Sequence, residues 1–368
     1  MSKVFKVTAG ILVLLVIVLG AFAGLLAHDS GAAPAEPLPA GVARMKAIVY
    51  RQYGSPAVLH AEVVARPVPA ANELLIRVRA ASLNPLDWHF MRGTPYVVRM
   101  QMGLGHPKSI RLGVDFAGTV EAVGAQVRQF KPGDAIFGTA DGTLAQYATS
   151  TEAGLALKPV NMSFEQAAAV PVAAVTALQG LRNYGHLRPG QKLLVNGASG
   201  GVGTFAVQIG RALGAEVTGV CSTRNLELVH SLGADHLIDY TREDFTRGGR
   251  QYDLILDTVG NHALRDYERI LTPGGIVVLL GSPSYEPWLG PLVGLMRARL
   301  LAPFLHHPYV SFFADTGNTA DFNTLRDWMQ AGKLVPVIDR HYPLAQAAQA
   351  MQYLEAGHTR GKVVVSVD

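Results

Sequence analysis

The sequence predicts an α/β protein in which a β-rich unit precedes a doubly wound parallel sheet. Three observations carry that expectation. Short strands and turns fill residues 45–151. From about Ser163 the apolar pattern changes to strictly alternating strand and helix. A glycine-rich turn, Asn196–Gly203, sits at a strand-to-helix junction of that second half. At roughly 150 residues per domain, 368 residues make about two domains.

The first segment, Val7 to Ala27, holds 21 residues without a charge. As a helix it spans about 30 Å, the thickness of a hydrocarbon core. A single-pass anchor is therefore expected, with the Ala- and Pro-rich stretch up to residue 44 as a linker. Two other readings stay open. Ala21-Phe22-Ala23 fits a signal-peptide cleavage site. Met45-Lys46-Ala47-Ile48-Val49-Tyr50 also looks like an N-terminus running straight into a strand, and a chain starting there would be soluble and cytoplasmic.

In the β-rich unit, Glu73–Ala80 alternates cleanly. Leu75, Arg77 and Arg79 share one face, and Leu74, Ile76 and Val78 the other. Lys131-Pro132-Gly133-Asp134 marks a turn. Ser163 with Gln166 three residues on opens a helix that Pro171 interrupts. Strands follow at 192–196, 216–221, 236–238, 252–257 and 275–281. Helices lie between them at 202–213, 225–232 and 262–271. The tail from Val335 reads strand, helix, strand, and its last strand is of a kind that pairs back with an earlier domain. The expected division is 1–44 anchor and linker, 45–165 β-rich unit completed by about 333–368, and 166–332 parallel-sheet unit.

Composition narrows the function. Hydrophobic residues are 49% of the chain and the net charge is +4, so the chain is not disordered. No Lys/Arg-rich run suggests a nucleic-acid partner. A single cysteine, Cys221, excludes an internal disulfide and any Cys-rich zinc site.

Ala198-x-Gly200-x-x-Gly203 matches a dinucleotide fingerprint with alanine at the first glycine. Asn196 ends the strand before it, and Ser199, Gly201 and Val202 complete the turn. Gly200 lets backbone approach a pyrophosphate, Gly203 lets the helix pack closely, and the helix N-terminus faces the phosphates. An NAD site calls for an acid at the end of the next strand. That strand ends Ser222-Thr223-Arg224 instead, two hydroxyls and a guanidinium that suit a 2′-phosphate. NADPH is expected over NADH. In the plainer reading Ser222 or Thr223 caps the next helix and Arg224 is solvated.

Ala81–Trp88, Gly113–Gly124, Ala169–Gln179 and the glycine turn together resemble the medium-chain dehydrogenase/reductase superfamily. The resemblance is to its zinc-free quinone-oxidoreductase (zeta-crystallin-like) branch, including bacterial members named NAD(P)-dependent alcohol dehydrogenases. It covers residues 45–368 and implies a GroES-like catalytic domain joined to a Rossmann domain. Where zinc members carry Cys, His and Cys, this chain has Asn84, Val114 and Ala173 or Ala174, so no metal is expected.

The implied reaction is hydride transfer from NADPH to a quinone or an α,β-unsaturated carbonyl. Asn84 and Thr176 should lie near the nicotinamide, with the Asn84 amide on the developing oxyanion. Asp87 caps or orients that loop. Tyr96 or His89 is the candidate proton donor, with water as the alternative. Tyr240, Gly260, Gly281 and Lys362 follow from the family pattern as cofactor contacts. Trp288–Phe313 is expected beside the active site or between subunits of a homodimer. Two other functions stay open: a non-catalytic, crystallin-like NADPH-binding protein, and an alcohol dehydrogenase. Because NADPH is cytoplasmic, the anchored body is expected to face the cytoplasm.

Overall fold

The computed structural model describes residues 18, 20–35, 37–38, 40–281, 287–290 and 292–367, and shows an α/β fold with two main sheets. The N-terminal strands β1 (Arg44–Val49) and β2 (His60–Ala65) form a separate antiparallel pair.

The first large sheet draws on both ends of the chain. Its strands are β3 (Glu73–Leu83), β4 (Asp115–Val123), β5 (Ala135–Thr139), β6 (Tyr147–Thr151), β7 (Leu155–Leu157), β14 (Ile338–Pro343) and β15 (Lys362–Ser366). Their order is β14-β15-β3-β4-β5-β7, with β6 also on β3. The alternation in β3 appears as burial of Leu74, Ile76 and Val78 beside exposed Arg77 and Arg79, but Leu75, expected on the arginine face, is buried too, next to a register shift against β4. The strand runs three residues past Ala80, because β4 pairs with residues 80–82 on one side and Val363–Ser366 of β15 with residues 80–83 on the other. The β15 partner lies some 280 positions away, beyond the reach of local pattern.

The second sheet is fully parallel, in the order β10-β9-β8-β11-β12-β13. Its strands are β8 (Lys192–Asn196), β9 (Glu216–Cys221), β10 (His236–Asp239), β11 (Tyr252–Asp257), β12 (Leu271–Leu279) and β13 (Tyr309–Val310). Leu193, Leu194 and Val195 are wholly buried, as a sheet covered on both faces requires. The strand order reverses between β8 and β11, so the crevice beyond Asn196 and Asp257 is the topological switch point where such sheets bind ligands.

Four helices position the cleft: α1 (Pro85–Arg92), α2 (Pro171–Gln179), α3 (Gly201–Ala212) and α4 (Ala347–Glu355). Ser163 and Gln166 form a reciprocal capping box, Gln166 N–H to Ser163 Oγ at 3.1 Å and Ser163 N–H to Gln166 Oε1 at 2.9 Å. Pro171 then opens α2 instead of kinking one long helix. The helix expected over His262–Leu271 is shorter, Leu264–Glu268, because Leu271 is drawn into the sheet opposite Tyr252.

The membrane expectation is corrected. Among the described residues no helix is long and apolar enough to cross a membrane. Residues 7–17 and 19 of the apolar run lie outside the described residues. The helical stretch 20–27 is about 12 Å long at 1.5 Å per residue. Its end is packed on the protein: Leu26 is buried, and its carbonyl accepts from the Arg99 guanidinium at 3.2 Å. A single-pass anchor with a cytoplasm-facing body is therefore not supported.

Candidate active site

A cleft of about 1100 Å³ runs between the two sheets, over the switch point. At its cofactor end β8 leads into the glycine turn and α3. A Cβ at Gly203 would stand 2.1 Å from Gly197 O, so only glycine lets the helix pack this close to the turn. Gly200 caps α3 without a side chain, and Gly201 and Val202 of the first turn line the cleft. The free N–H groups and positive end of the helix are thereby offered to an anion. Ser199 and Tyr240 also line this end, and Ala198 is buried beneath it.

Ser222 caps the short turn Thr223–Asn225 after β9. Asn225 Nδ2 donates to Ser199 Oγ (3.0 Å) and Ser222 Oγ (3.2 Å), tying this turn to the glycine loop. Arg224 Nη2 donates to His358 O at 3.2 Å. The β10 terminus adds Asp239, a carboxylate that strand-by-strand reading missed. It accepts from the Thr223 and Thr241 hydroxyls and from Thr241 N–H. These bonds, the Thr223 one foremost, hold Asp239 below the usual carboxylate range.

The switch-point wall is organised by Asp257, which is fully buried. Its Oδ1 accepts from Asn196 Nδ2 (2.8 Å), Val259 N–H and Gly260 N–H (2.9 Å each), and Tyr267 donates to Oδ2. Gly281 packs on Thr258, whose carbonyl would stand 2.2 Å from a Cβ there. Thr258, Val259 and Asn261 line the cleft, while Gly260 and Gly281 shape this turn from behind. Nothing in local sequence singled out Asp257.

At the other end Asn84 precedes α1 and is buried. Its Nδ2 donates to Asp115 Oδ2 at 2.9 Å, and its Oδ1 accepts from the Lys362 ammonium. Lys362 also pairs with Asp115 Oδ2 at 3.1 Å; these two side chains are 3% and 0% exposed. Asp115 accepts further from Ser82 Oγ (2.9 Å) and from Val172 N–H of α2 (3.0 Å). The Lys362 stem passes beside the glycine turn, so that a Cβ at Gly201 would meet its Cδ at 3.3 Å. Gly361 N–H donates to Ser199 O at 2.9 Å. Asn84 and Lys362 line the cleft together with Ser199 and Gly201. Arg92 and Glu355 form a forked ion pair across α1 and α4 on the same wall.

Several expected residues lie elsewhere. Thr176 donates to Val172 O within its own helix at 2.6 Å, and Ala173 is the α2 residue that lines the cleft. Tyr96 turns away from the cleft, edge-on to Trp288 at 5.0 Å and under Arg99. Among the described residues of the 288–313 stretch, Trp288 packs on this loop and Gly290 lines the cleft. His89 does line the cleft. Its Nδ1 lies 2.8 Å from Thr94 O, so Nδ1 carries the hydrogen and Nε2 is a bare acceptor. Burial pushes the imidazole below its usual range, toward this neutral form.

Asp87 is wholly buried behind Asn84 and accepts the Asn84 N–H at 2.7 Å. Burial pushes the carboxyl from 3.8 up to about 7. The folded chain then holds this proton where the unfolded chain has lost it, so stability falls as pH rises from about 4 to 7. Asp87→Asn removes that dependence. In thermal melts it should raise Tm at pH 8 by about 2–4 °C and at pH 5 by less; equal changes at both pH values would refute it.

The alcohol dehydrogenase GroES-like pattern matches residues 70–178, and the pattern described as zinc-binding dehydrogenase matches 232–365. A mitochondrial NAD(P)H oxidoreductase of Mus musculus is 34% identical over 327 residues, 80% of this chain and 82% of the relative. The 2-methylene-furan-3-one reductase of Solanum lycopersicum is 34% identical over 336 residues, 87% and 79% of the two chains. The solved quinone oxidoreductase of Coxiella burnetii has a TM-score of 0.75 at 29% identity, covering 89% of this chain and 100% of its own. With relatives this close along most of its length, the chain belongs to the medium-chain dehydrogenase/reductase superfamily, as a member of the quinone-oxidoreductase type.

Proposed function

We propose that this protein is an NADPH-dependent reductase of quinones or α,β-unsaturated carbonyls. The observation that carries the reading is the Asn84 amide, held between Lys362 and Asp115 in the cleft that also contains the glycine turn. The names of its relatives, NAD(P)H oxidoreductase, methylene-furanone reductase and quinone oxidoreductase, support the same chemistry. Residues 166–332 are assigned to the nucleotide, and 45–165 with 333–368 to the substrate.

Bound NADPH supplies a hydride to an electrophilic carbon. The chain's part is to hold, orient and stabilise. The α3 N-terminus takes the pyrophosphate, and Ser222 and Arg224 take the 2′-phosphate, the Thr223 hydroxyl being committed to Asp239. Asp239 stands nearby, but its oxygens are already taken by threonine donors. A lysine on Oδ1 and a carboxylate on Nδ2 fix which way the Asn84 amide faces. Its second Nδ2 hydrogen is then free for substrate oxygen as negative charge builds there. Neutral His89 has no proton on its free nitrogen and Tyr96 faces Arg99, so the proton for the product is assigned to water.

Zinc does not fit these residues. Among the described residues no group of three or more His, Cys, Asp or Glu is placed to hold a metal ion. The polar cluster at Asn84 already contains an ammonium, which repels a divalent cation. Cys221 is in the other sheet, and burial pushes its thiol up to about 11, away from the thiolate a metal needs. Zinc-assisted alcohol oxidation is therefore not proposed.

NADPH oxidation over a panel of quinones, enals and enones tests the reading. Turnover of at least one class is expected, and Asn84→Ala should lower kcat by about 10²-fold. NADPH binding with no turnover across the panel would instead favour a non-catalytic binding protein. For the cofactor, Arg224→Ala should raise KM for NADPH about tenfold and leave KM for NADH unchanged. Equal effects on both would remove Arg224 from the phosphate site.

A further inference from the structure

Arg99 is a charged side chain 2% exposed, and it lies outside the cleft. Its Nε donates to Gly93 O at 2.8 Å. Its Nη1 donates to Leu26 O and His28 O, each at 3.2 Å, and pairs with Asp29 at 2.9 Å. Its guanidinium lies over the rings of Tyr53 (4.4 Å) and Tyr96 (4.8 Å). Gly93 admits it: a Cβ there would stand 2.8 Å from Arg99 Nε.

Apart from Tyr53, these partners come from two stretches of chain. One is the segment 26–29, which is secured beyond Arg99 as well. Ser30 N–H donates to Gly105 O at 3.0 Å, and Ala33 N–H to Arg51 O at 2.8 Å. The other is the loop 93–98, whose Thr94 and Pro95 line the cleft beside His89. The far side of that loop rests on Pro287, whose carbonyl accepts Tyr96 N–H at 2.6 Å.

A guanidinium cannot shed its charge, so inside a protein it must keep its acceptors. Without segment 26–29, Nη1 loses both carbonyls and the carboxylate together. The charge then moves toward water, and Gly93 and Tyr96 lose the group that holds them. We propose that residues 26–34 are a strap that, through Arg99, holds loop 93–98 in the shape of the substrate wall. Arg99 is in this sense a positioning residue. The proposal deepens the quinone or enone reading of the cleft and rests on it.

The test compares the full chain with a chain lacking residues 1–30 and with full-length Asp29→Lys. Asp29 is 57% exposed, so this substitution leaves the fold intact while setting a second cation against Arg99. The probe is 1,4-benzoquinone or the enone that the full chain turns over fastest. Substrate KM should rise about tenfold in the deletion and about threefold in Asp29→Lys, with kcat changed by less than about threefold. The dissociation constant of NADPH should not change. Tryptic cleavage after Arg99, read by mass spectrometry, should speed up by about tenfold as the loop opens. A purely structural strap would lower Tm without splitting KM from kcat. Unchanged KM and unchanged cleavage would overturn the proposal. If the deletion does not fold, Asp29→Lys decides. If no quinone or enone is turned over, the functional reading fails, and cleavage after Arg99 still decides whether the strap holds the loop.

Discussion

Lys362 carries its charge into the interior, and a buried ammonium persists only where acceptors replace the water it has lost. Asp115 and Asn84 supply them. Asp115 in turn takes Ser82 from β3 and a backbone N–H from α2. One buried ion pair thus joins the last strand, the central strands of its sheet, the loop before α1 and a helix beside the other sheet. Removing one partner of such a pair typically costs about 3–5 kcal/mol, because the other charge is stranded. Gly361, one residue earlier, bonds the glycine turn, so the same strand also sets where the nucleotide end of the cleft lies.

The chemistry inherits this constraint. An amide that is free to flip offers substrate oxygen either a donor or an acceptor. With a lysine on one end and a carboxylate on the other, the proposed role of Asn84 is to offer a hydrogen. A donor fixed in place before charge develops stabilises it without reorganisation. In the proposed reading this suits substrates that are electrophilic on their own.

Much of the frame was legible in sequence because it is local. The glycine turn, the Ser163–Gln166 box and the β3 alternation each need only a few neighbouring residues. The tie between Lys362 and Asp115 spans 247 positions, and the extension of β3 to Leu83 depends on the same distant strand. Asp257 and Asp239 sit at strand ends that converge only once the parallel sheet has formed. The surroundings of Tyr96 are equally non-local: proximity to the Asn84 loop in sequence points to the cleft, whereas its ring packs against Arg99 and Trp288. The uncharged N-terminal run suggested a bilayer, and its described end is engaged by a buried arginine.

Single-turnover hydride transfer in Lys362→Met tests the central claim most directly, with NADPH saturating and its affinity measured separately. If the ammonium fixes the Asn84 amide, the transfer rate should fall by about 10²-fold while NADPH still binds. An unchanged transfer rate in a folded, NADPH-binding variant would show that the amide needs no such lock.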